Sequence, residues 1–220
     1  MGTLFKNGTV VTAGDMFPAD VLVEGEIITT IGRDLASAGH TVVDCTGKYI
    51  MPGGIDVHTH LDLPFGGTYS NDDFDIGHKA AAFGGTTTHI DFVIQPKGGS
   101  LHDGLATWRK KAQPAQIDYG FHMAITDLRE DIMAEIPTLI DEGITSLKLF
   151  MAYKNVFQVD DATLFKAMQL AAENGMIVMV HAENGDVEAT LTPALIAAGK
   201  TDPVYHASSR PPEIEGEATN

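Results

Sequence analysis

The 220 residues are 44% apolar, with mean hydropathy near zero (+0.01) and a formal net charge of −16 from 14 Lys and Arg against 30 Asp and Glu. That balance describes a globular chain with a real core, in one large domain or two small ones. An acidic surplus repels phosphate backbones and anionic lipid, which argues against nucleic acid or a membrane surface as partner. No apolar run approaches the ~18 residues that a membrane span needs. The opening MGTLFKNGTVVTAG lacks the cationic and long apolar regions of a secretory leader. A single cysteine, Cys45 in the run TVVDC, can form no internal disulfide; it reads as a small core residue and fits a reducing cytoplasm.

Residues 1–52 read as short β-rich runs, Thr3–Phe5, Thr9–Thr12, Asp20–Val23, Ile27–Ile31 and Thr41–Val43, punctuated by Asn7-Gly8, Ala13-Gly14-Asp15 and Gly32. No helix is expected before residue 50. These runs make part of a small β-sandwich, with too few residues for an independent core. From residue 53 the pattern changes to alternating strands and helices, with strands over Gly54–His60, Thr87–Ile94, Asp118–Ile125, Thr145–Met151 and Met176–His181. Helices are predicted over Asn71–Phe83, Leu128–Glu142 and Ala162–Asn174, each closed by glycine at Gly84-Gly85, Gly143 or Gly175. Strands that are apolar almost throughout, such as Ile177-Val178-Met179-Val180, suit a parallel sheet covered on both faces. Five βα units fit either a (β/α)8 barrel or an open doubly wound sheet. The open sheet announces itself by a glycine-rich phosphate turn after its first strand, and here the first strand ends in His58 and His60. The expectation is therefore α/β: an incomplete (β/α)8 barrel over 53–220 preceded by part of a sandwich over 1–52. A barrel takes about 250 residues, so roughly three units are expected beyond residue 220, and the final EGEATN (Glu215–Asn220) reads as a helix start.

The stretch GIDVHTH places two imidazoles two residues apart. Residues i and i+2 of a strand project to one side, so His58 and His60 point together from the carboxyl end of the first barrel strand, where barrel enzymes build their sites. Two readings fit: a chelating pair for one metal ion, or two partly exposed loop histidines. Two other strand ends bear on the choice. His181 closes the fifth strand. Lys148 lies inside the apolar strand SLKLF, and a buried lone lysine is costly unless it pairs with an acid or sheds its charge, for instance as a carbamate. Asp56 and Asp91 could accept hydrogen bonds from ligand imidazoles or cap local backbone amides. His78, His89, His102, His122 and His206 are taken as structural or surface residues.

GGIDVHTHLDLPFGGT, AAAFGGTTTHIDF, SLKLFMAY, HAENGD and SRPPEIEGEATN together make the chain resemble the dihydropyrimidinase and hydantoinase family of the amidohydrolase superfamily. The resemblance implies hydrolytic ring opening of dihydropyrimidines or 5-substituted hydantoins to N-carbamoyl amino acids. It implies two divalent metal ions, zinc by preference, with His58 and His60 on the first, His181 on the second and a carboxylated Lys148 between them. It makes Tyr153 the hydrogen-bond donor to the substrate oxyanion, and it places a further histidine ligand and an aspartate base beyond residue 220. The loops after the strands would form the substrate pocket with Leu63, Pro64, Phe65, Phe150 and Phe157. The partners implied are a small cyclic amide and, in the full-length protein, identical subunits in a homotetramer. Dihydroorotases carry an arginine where this chain has Asp62, and an aspartate would repel their anionic substrate. Allantoinase-like chemistry and a non-catalytic scaffold related to this family stand as alternatives.

Overall fold

All strands within the first 50 residues join one five-stranded sheet. In the computed structural model, which describes residues 1–220, the chain divides into two units, Met1–Gly54 and Ile55–Asn220. The first holds β1 (Thr3–Val11), β2 (Met16–Glu24), β3 (Ile27–Gly32), β4 (Thr41–Asp44) and β5 (Tyr49–Ile50). Strands β2 and β3 form an antiparallel meander with β1, whereas β4 and β5 run parallel to β1.

The expected Asn7-Gly8 turn is instead a register irregularity inside one continuous strand, β1. Asn7 takes φ +64°. Its N–H donates to Asp20 Oδ1 at 2.8 Å and its side-chain amide to Asp44 Oδ1 at 3.1 Å, so groups taken out of the ladder are satisfied locally. The slip reverses side-chain parity, and Phe5 and Val10 both join the small core of Val10, Ala19 and Val21. Gly8 leaves room for Ile50, whose side chain would have to shift to admit a Cβ there. Ile27, Ile28, Ile31 and Val42 remain exposed, as in a sandwich represented by one sheet.

The second unit is built on a parallel sheet. Its elements are β6 (Gly54–Thr59), a hairpin of β7 (Pro64–Phe65) and β8 (Thr68–Tyr69), α1 (Phe74–Gly84), β9 (Thr86–Ile94), α2 (Leu101–Lys111), β10 (Asp118–Ala124), α3 (Glu130–Glu135), β11 (Ser146–Phe150), α4 (Asp161–Glu173), β12 (Ile177–His181), α5 (Gly185–Ala197), α6 (His206–Ser209) and α7 (Pro212–Thr219). The sheet order is β12-β11-β10-β9-β6. Each strand lies beside its predecessor in the βα series, with no reversal of the kind that defines a doubly wound sheet. This is a (β/α)8 barrel, incomplete at five strands. Its curvature is visible in one contact: His122 of β10 donates from Nε2 to the Val57 carbonyl of β6 at 3.0 Å. Those strands are separated by β9, and on a flat sheet they would be roughly 9.5 Å apart.

One helical expectation needs correction. The segment Leu128–Glu142 is not one helix: α3 stops at Glu135 and a 3₁₀ turn follows over Ile136–Leu139, because Pro137 has no N–H to continue the α-helical ladder. The βα repeat implied a helix between Ile94 and Asp118 without giving it bounds, and α2 fills that interval. Its signal was present: Ser100 caps the His102 amide, and Leu101, Leu105 and Trp108 follow at helical spacing and are buried. No helix is long and apolar enough to cross a membrane.

Val93, Met123, Leu147 and Leu149 form the outer face of the sheet, packed with Leu101, Leu105, Trp108, Ile132 and Ile136. Leu149 is fully buried, whereas Val57, of the same facing on the edge strand β6, is 53% exposed. Leu149→Ala should therefore cost about 2–5 kcal/mol in urea denaturation of this chain, and Val57→Ala less than about 0.5 kcal/mol.

Candidate active site

The same alternation that sends Leu147 and Leu149 outward turns Ser146, Lys148 and Phe150 inward. On the inner face, Phe92 of β9 is the floor on which the polar groups gather. Its ring centroid lies 4.6 Å from that of His58, 5.0 Å from His60 and 4.8 Å from His122, and Lys148 Nζ stands 5.7 Å from it. The His58 and His60 rings are 5.1 Å apart and nearly perpendicular. His181 closes β12, opposite Phe150 of β11 in register.

Burial, reinforced by neighbouring basic groups, favours the neutral form of His58, His60 and His122. His60 is held down at about 4, first by burial and then by His58 and Lys148. His58 is lowered for the same first reason, then by Lys148. Lys148 is 5% exposed. No acidic side chain pairs with it, and burial alone lowers its pKa. His60 Nδ1 is buried with no hydrogen-bond partner. Unprotonated imidazoles, one with an orphaned nitrogen, beside an amine that gives up its proton readily, form a donor set suited to a divalent cation. No three His, Cys, Asp or Glu side chains converge closely enough to hold an ion unaided. On this face the remaining donor is Lys148.

A cavity of about 330 Å³ joins these groups to an aromatic wall. His58, His60, Lys148 and His181 line it, together with Leu63, Phe65, Phe150, Phe157 and Tyr153. Pro64 does not line it. Phe65 lies 5.3 Å from Tyr153 and 5.7 Å from Phe157 between ring centroids, and Phe150 lies 5.2 Å from Phe157. Tyr153 has φ +64°, an uncommon backbone state for a bulky residue. Its carbonyl accepts the N–H groups of Val156 and Phe157 at 2.9 and 3.0 Å, which holds that conformation. Burial raises the Tyr153 phenol, and Arg210 opposes the rise.

A second, polar cavity shares His58, Lys148, Tyr153 and His181 and adds Glu183, His206 and Arg210. His181 donates from Nε2 to Glu183 Oε2 at 2.8 Å, which leaves Nδ1 as its free nitrogen. Arg210 reaches Glu183 at 3.4 Å and Glu188 at 2.9 Å, with its guanidinium 5.8 Å from the Tyr153 ring centre. Sequence reasoning missed Phe92, Glu183 and Arg210. Strand parity would have found the first, and the i, i+2 spacing in His181-Ala182-Glu183 the second.

Of the two readings open for Asp56 and Asp91, the backbone-capping one holds, and Asp62 alone departs from its reading. Asp56 accepts from the His58 backbone N–H at 3.1 Å, so it caps the chain and makes no bond to an imidazole. Asp91 faces outward, where Thr59, Leu61 and Trp108 donate to it. Asp62 pairs with Lys111 at 3.3 Å and lines neither cavity, so it offers no repulsion to a bound anion. His122, left as structural or surface, lies on the inner face, between the Val57 carbonyl and the Ser146 hydroxyl.

A half-barrel whose inner strand ends carry histidines and a buried lysine defines a class of metal-dependent hydrolase scaffold, and residues 49–210 match the Amidohydrolase family; the chain belongs to that family. Among its relatives, it is 56% identical to the D-hydantoinase of Geobacillus stearothermophilus, over 100% of this chain and 47% of that protein. It is 47% identical to the dihydropyrimidinase of Dictyostelium discoideum, over 99% of this chain and 44% of that protein. The crystal structure of dihydropyrimidinase from Brevibacillus agri NCHU1002 superposes with a TM-score of 0.96 at 56% identity, covering 100% of this chain and 48% of that one. The chain spans about half the length of the curated relatives it matches.

The lowered imidazole pKa values set a pH dependence. The unfolded chain takes up protons on these histidines near pH 6.5, before the folded one does, so their contribution to stability is complete above 6.5 and is lost as pH falls toward about 4, the value for His60. His78 and His89, lowered by burial, act in the same sense. In chelator-treated protein, urea midpoints should fall between pH 7 and pH 4.5, and His60→Asn should make that slope shallower.

Proposed function

We propose that the protein to which this chain belongs opens the rings of dihydropyrimidines or 5-substituted hydantoins, yielding N-carbamoyl amino acids. The observation that carries this reading is the meeting of His58, His60, Lys148, His181 and Tyr153 around one cavity, with Lys148 buried and unpaired. The hydantoinase and dihydropyrimidinase relatives support it.

In this reading His58 and His60 would hold one divalent ion and His181 a second, and Lys148, as a carbamate, would be a further ligand. An amine with a lowered pKa is the form that adds carbon dioxide: its nitrogen pair forms the C–N bond and one proton leaves. The product is an anion with two oxygens, which removes the charge conflict of a cation among metal-binding imidazoles. When bound, the ions supply Lewis acidity and a water acidic enough to ionise near neutral pH. Tyr153 donates its hydroxyl hydrogen to the oxygen of the attacked carbonyl as negative charge develops there. Phe65, Phe150 and Phe157 hold the ring's substituent and keep bulk water from the reacting carbonyl. Proton transfer to the leaving nitrogen falls to an aspartate outside these residues, by the family resemblance. On the same resemblance we extend the proposal to zinc as the metal and to a homotetramer, and on the single cysteine to a cytoplasmic location.

In the whole protein, metal analysis should give two ions per subunit, with turnover of dihydrouracil or hydantoin. Lys148→Arg keeps a positive charge but cannot become a carbamate. It should leave fewer than two ions and lower kcat at least 100-fold, and a variant with full metal and full rate would remove Lys148 from its role. Tyr153→Phe should lower kcat by about 10²–10³, as for loss of one oxyanion donor, with a much smaller change in KM, measured by steady-state ring-opening assays.

A further inference from the structure

Strand β6 ends at Thr59, so His60 stands one residue beyond the ladder that fixes the first histidine. The backbone there is held by something else. Asp91 Oδ2 accepts the Thr59 hydroxyl at 2.8 Å and the Leu61 N–H at 2.8 Å. These are the residues immediately before and after His60, gripped by one oxygen atom. The other oxygen, Oδ1, accepts the indole N–H of Trp108 at 3.0 Å, which ties the carboxylate to α2. The same helix sends Lys111 to the Asp62 carbonyl, one residue further along.

Asp91 is fully buried on the outer face of the sheet. No lysine or arginine is among the groups that stabilise its charge, and burial is the largest influence on it. A carboxylate buried without a cation is expensive, and an apolar residue would pack at this position between the sheet and α2 at less cost. What the carboxylate supplies is acceptor capacity: three donors on two oxygens, two of them flanking His60. A neutral amide offers one acceptor oxygen and an N–H₂ that would face a donor.

We infer that Asp91 is a positioning residue for the metal site, acting through the Thr59 hydroxyl on one side of His60 and the Leu61 backbone N–H on the other, and touching neither ion nor substrate. This rests on His58 and His60 as metal ligands. Supporting residues of this kind change metal affinity by about 10–100-fold when removed.

The test uses the whole protein, stripped of metal and titrated with zinc against a competing chelator, with kcat and KM for hydantoin measured on the reloaded enzyme. Asp91→Asn should weaken zinc binding at least 10-fold and lower kcat at least 10-fold while KM changes less than threefold. Thr59→Val removes one of the two flanking bonds, and should shift zinc affinity in the same direction by a smaller factor. Trp108→Phe removes only the bond from α2. It should lower the unfolding midpoint and leave zinc affinity within threefold, the pattern expected where fold stability alone is affected. If Asp91→Asn does not fold, the Thr59→Val titration decides. Zinc affinity and kcat unchanged in both Asp91→Asn and Thr59→Val, beside a wild type that binds zinc, overturn the inference alone. A wild type that binds no zinc overturns the ligand reading and this inference with it.

Discussion

A strand sends its side chains alternately to two faces, and in residues 55–220 that alternation keeps the chemistry apart from the core. Lys148 lies between Leu147 and Leu149 in sequence, yet it faces the cavity while they are sealed against the helices. Phe92 and Asp91 divide in the same way, one flooring the site and the other buried outside it. Curvature turns the parity into a site. It brings β6 within reach of His122 on β10, and it makes the inner residues of five strands converge where a flat sheet would leave them in a row. One slip of register in β6 would put Val57 and Thr59 in the places of His58 and His60.

Convergence of this sort gathers basic groups where positive charge is poorly tolerated. His58, His60, His122 and Lys148 are each shifted toward the neutral form chiefly by burial, and the histidines also by one another or by Lys148. The chain as a whole carries a net charge of −16, but none of its acids approaches these groups as a partner; the nearby acids are committed elsewhere. Asp56 caps a backbone amide, Asp91 faces outward, and Glu183 is shared between His181 and Arg210. The cluster is thus rich in lone pairs and poor in anions, an arrangement that a divalent ion and an anionic bridging group would complete.

Much of the fold was legible from pattern alone. The five barrel strands match their predicted ranges to within a residue or two at each end, because β-rich runs, three of them preceded by a helix-closing glycine (Gly85, Gly143 and Gly175), leave few alternatives. Helix α2 was given no bounds because the charged run Arg109-Lys110-Lys111 at its end obscures the apolar stripe of Leu101, Leu105 and Trp108. The 3₁₀ turn after α3 was marked by Pro137 and was overlooked. In the site, the common direction of His58 and His60 follows from spacing, since i and i+2 parity is local. The two readings of Asp56 and Asp91 could not be separated from sequence, because the partner of a carboxylate is set by what packs against it, and Trp108 and Lys111 come from a helix whose bounds had not been placed.

The sequence by itself determined the alternation of strands and helices, the pairing of His58 with His60 and the family resemblance, all of which depend on residues close together in the chain. Only the tertiary structure decided that Phe92 is the floor, that Glu183 and Arg210 border Tyr153, and that one oxygen of Asp91 holds both neighbours of His60. Those meetings join residues about 150 positions apart, such as His58 and Arg210 around the polar cavity. Which distant residues meet is fixed by strand order and sheet curvature, properties of the assembled sheet that no single segment carries.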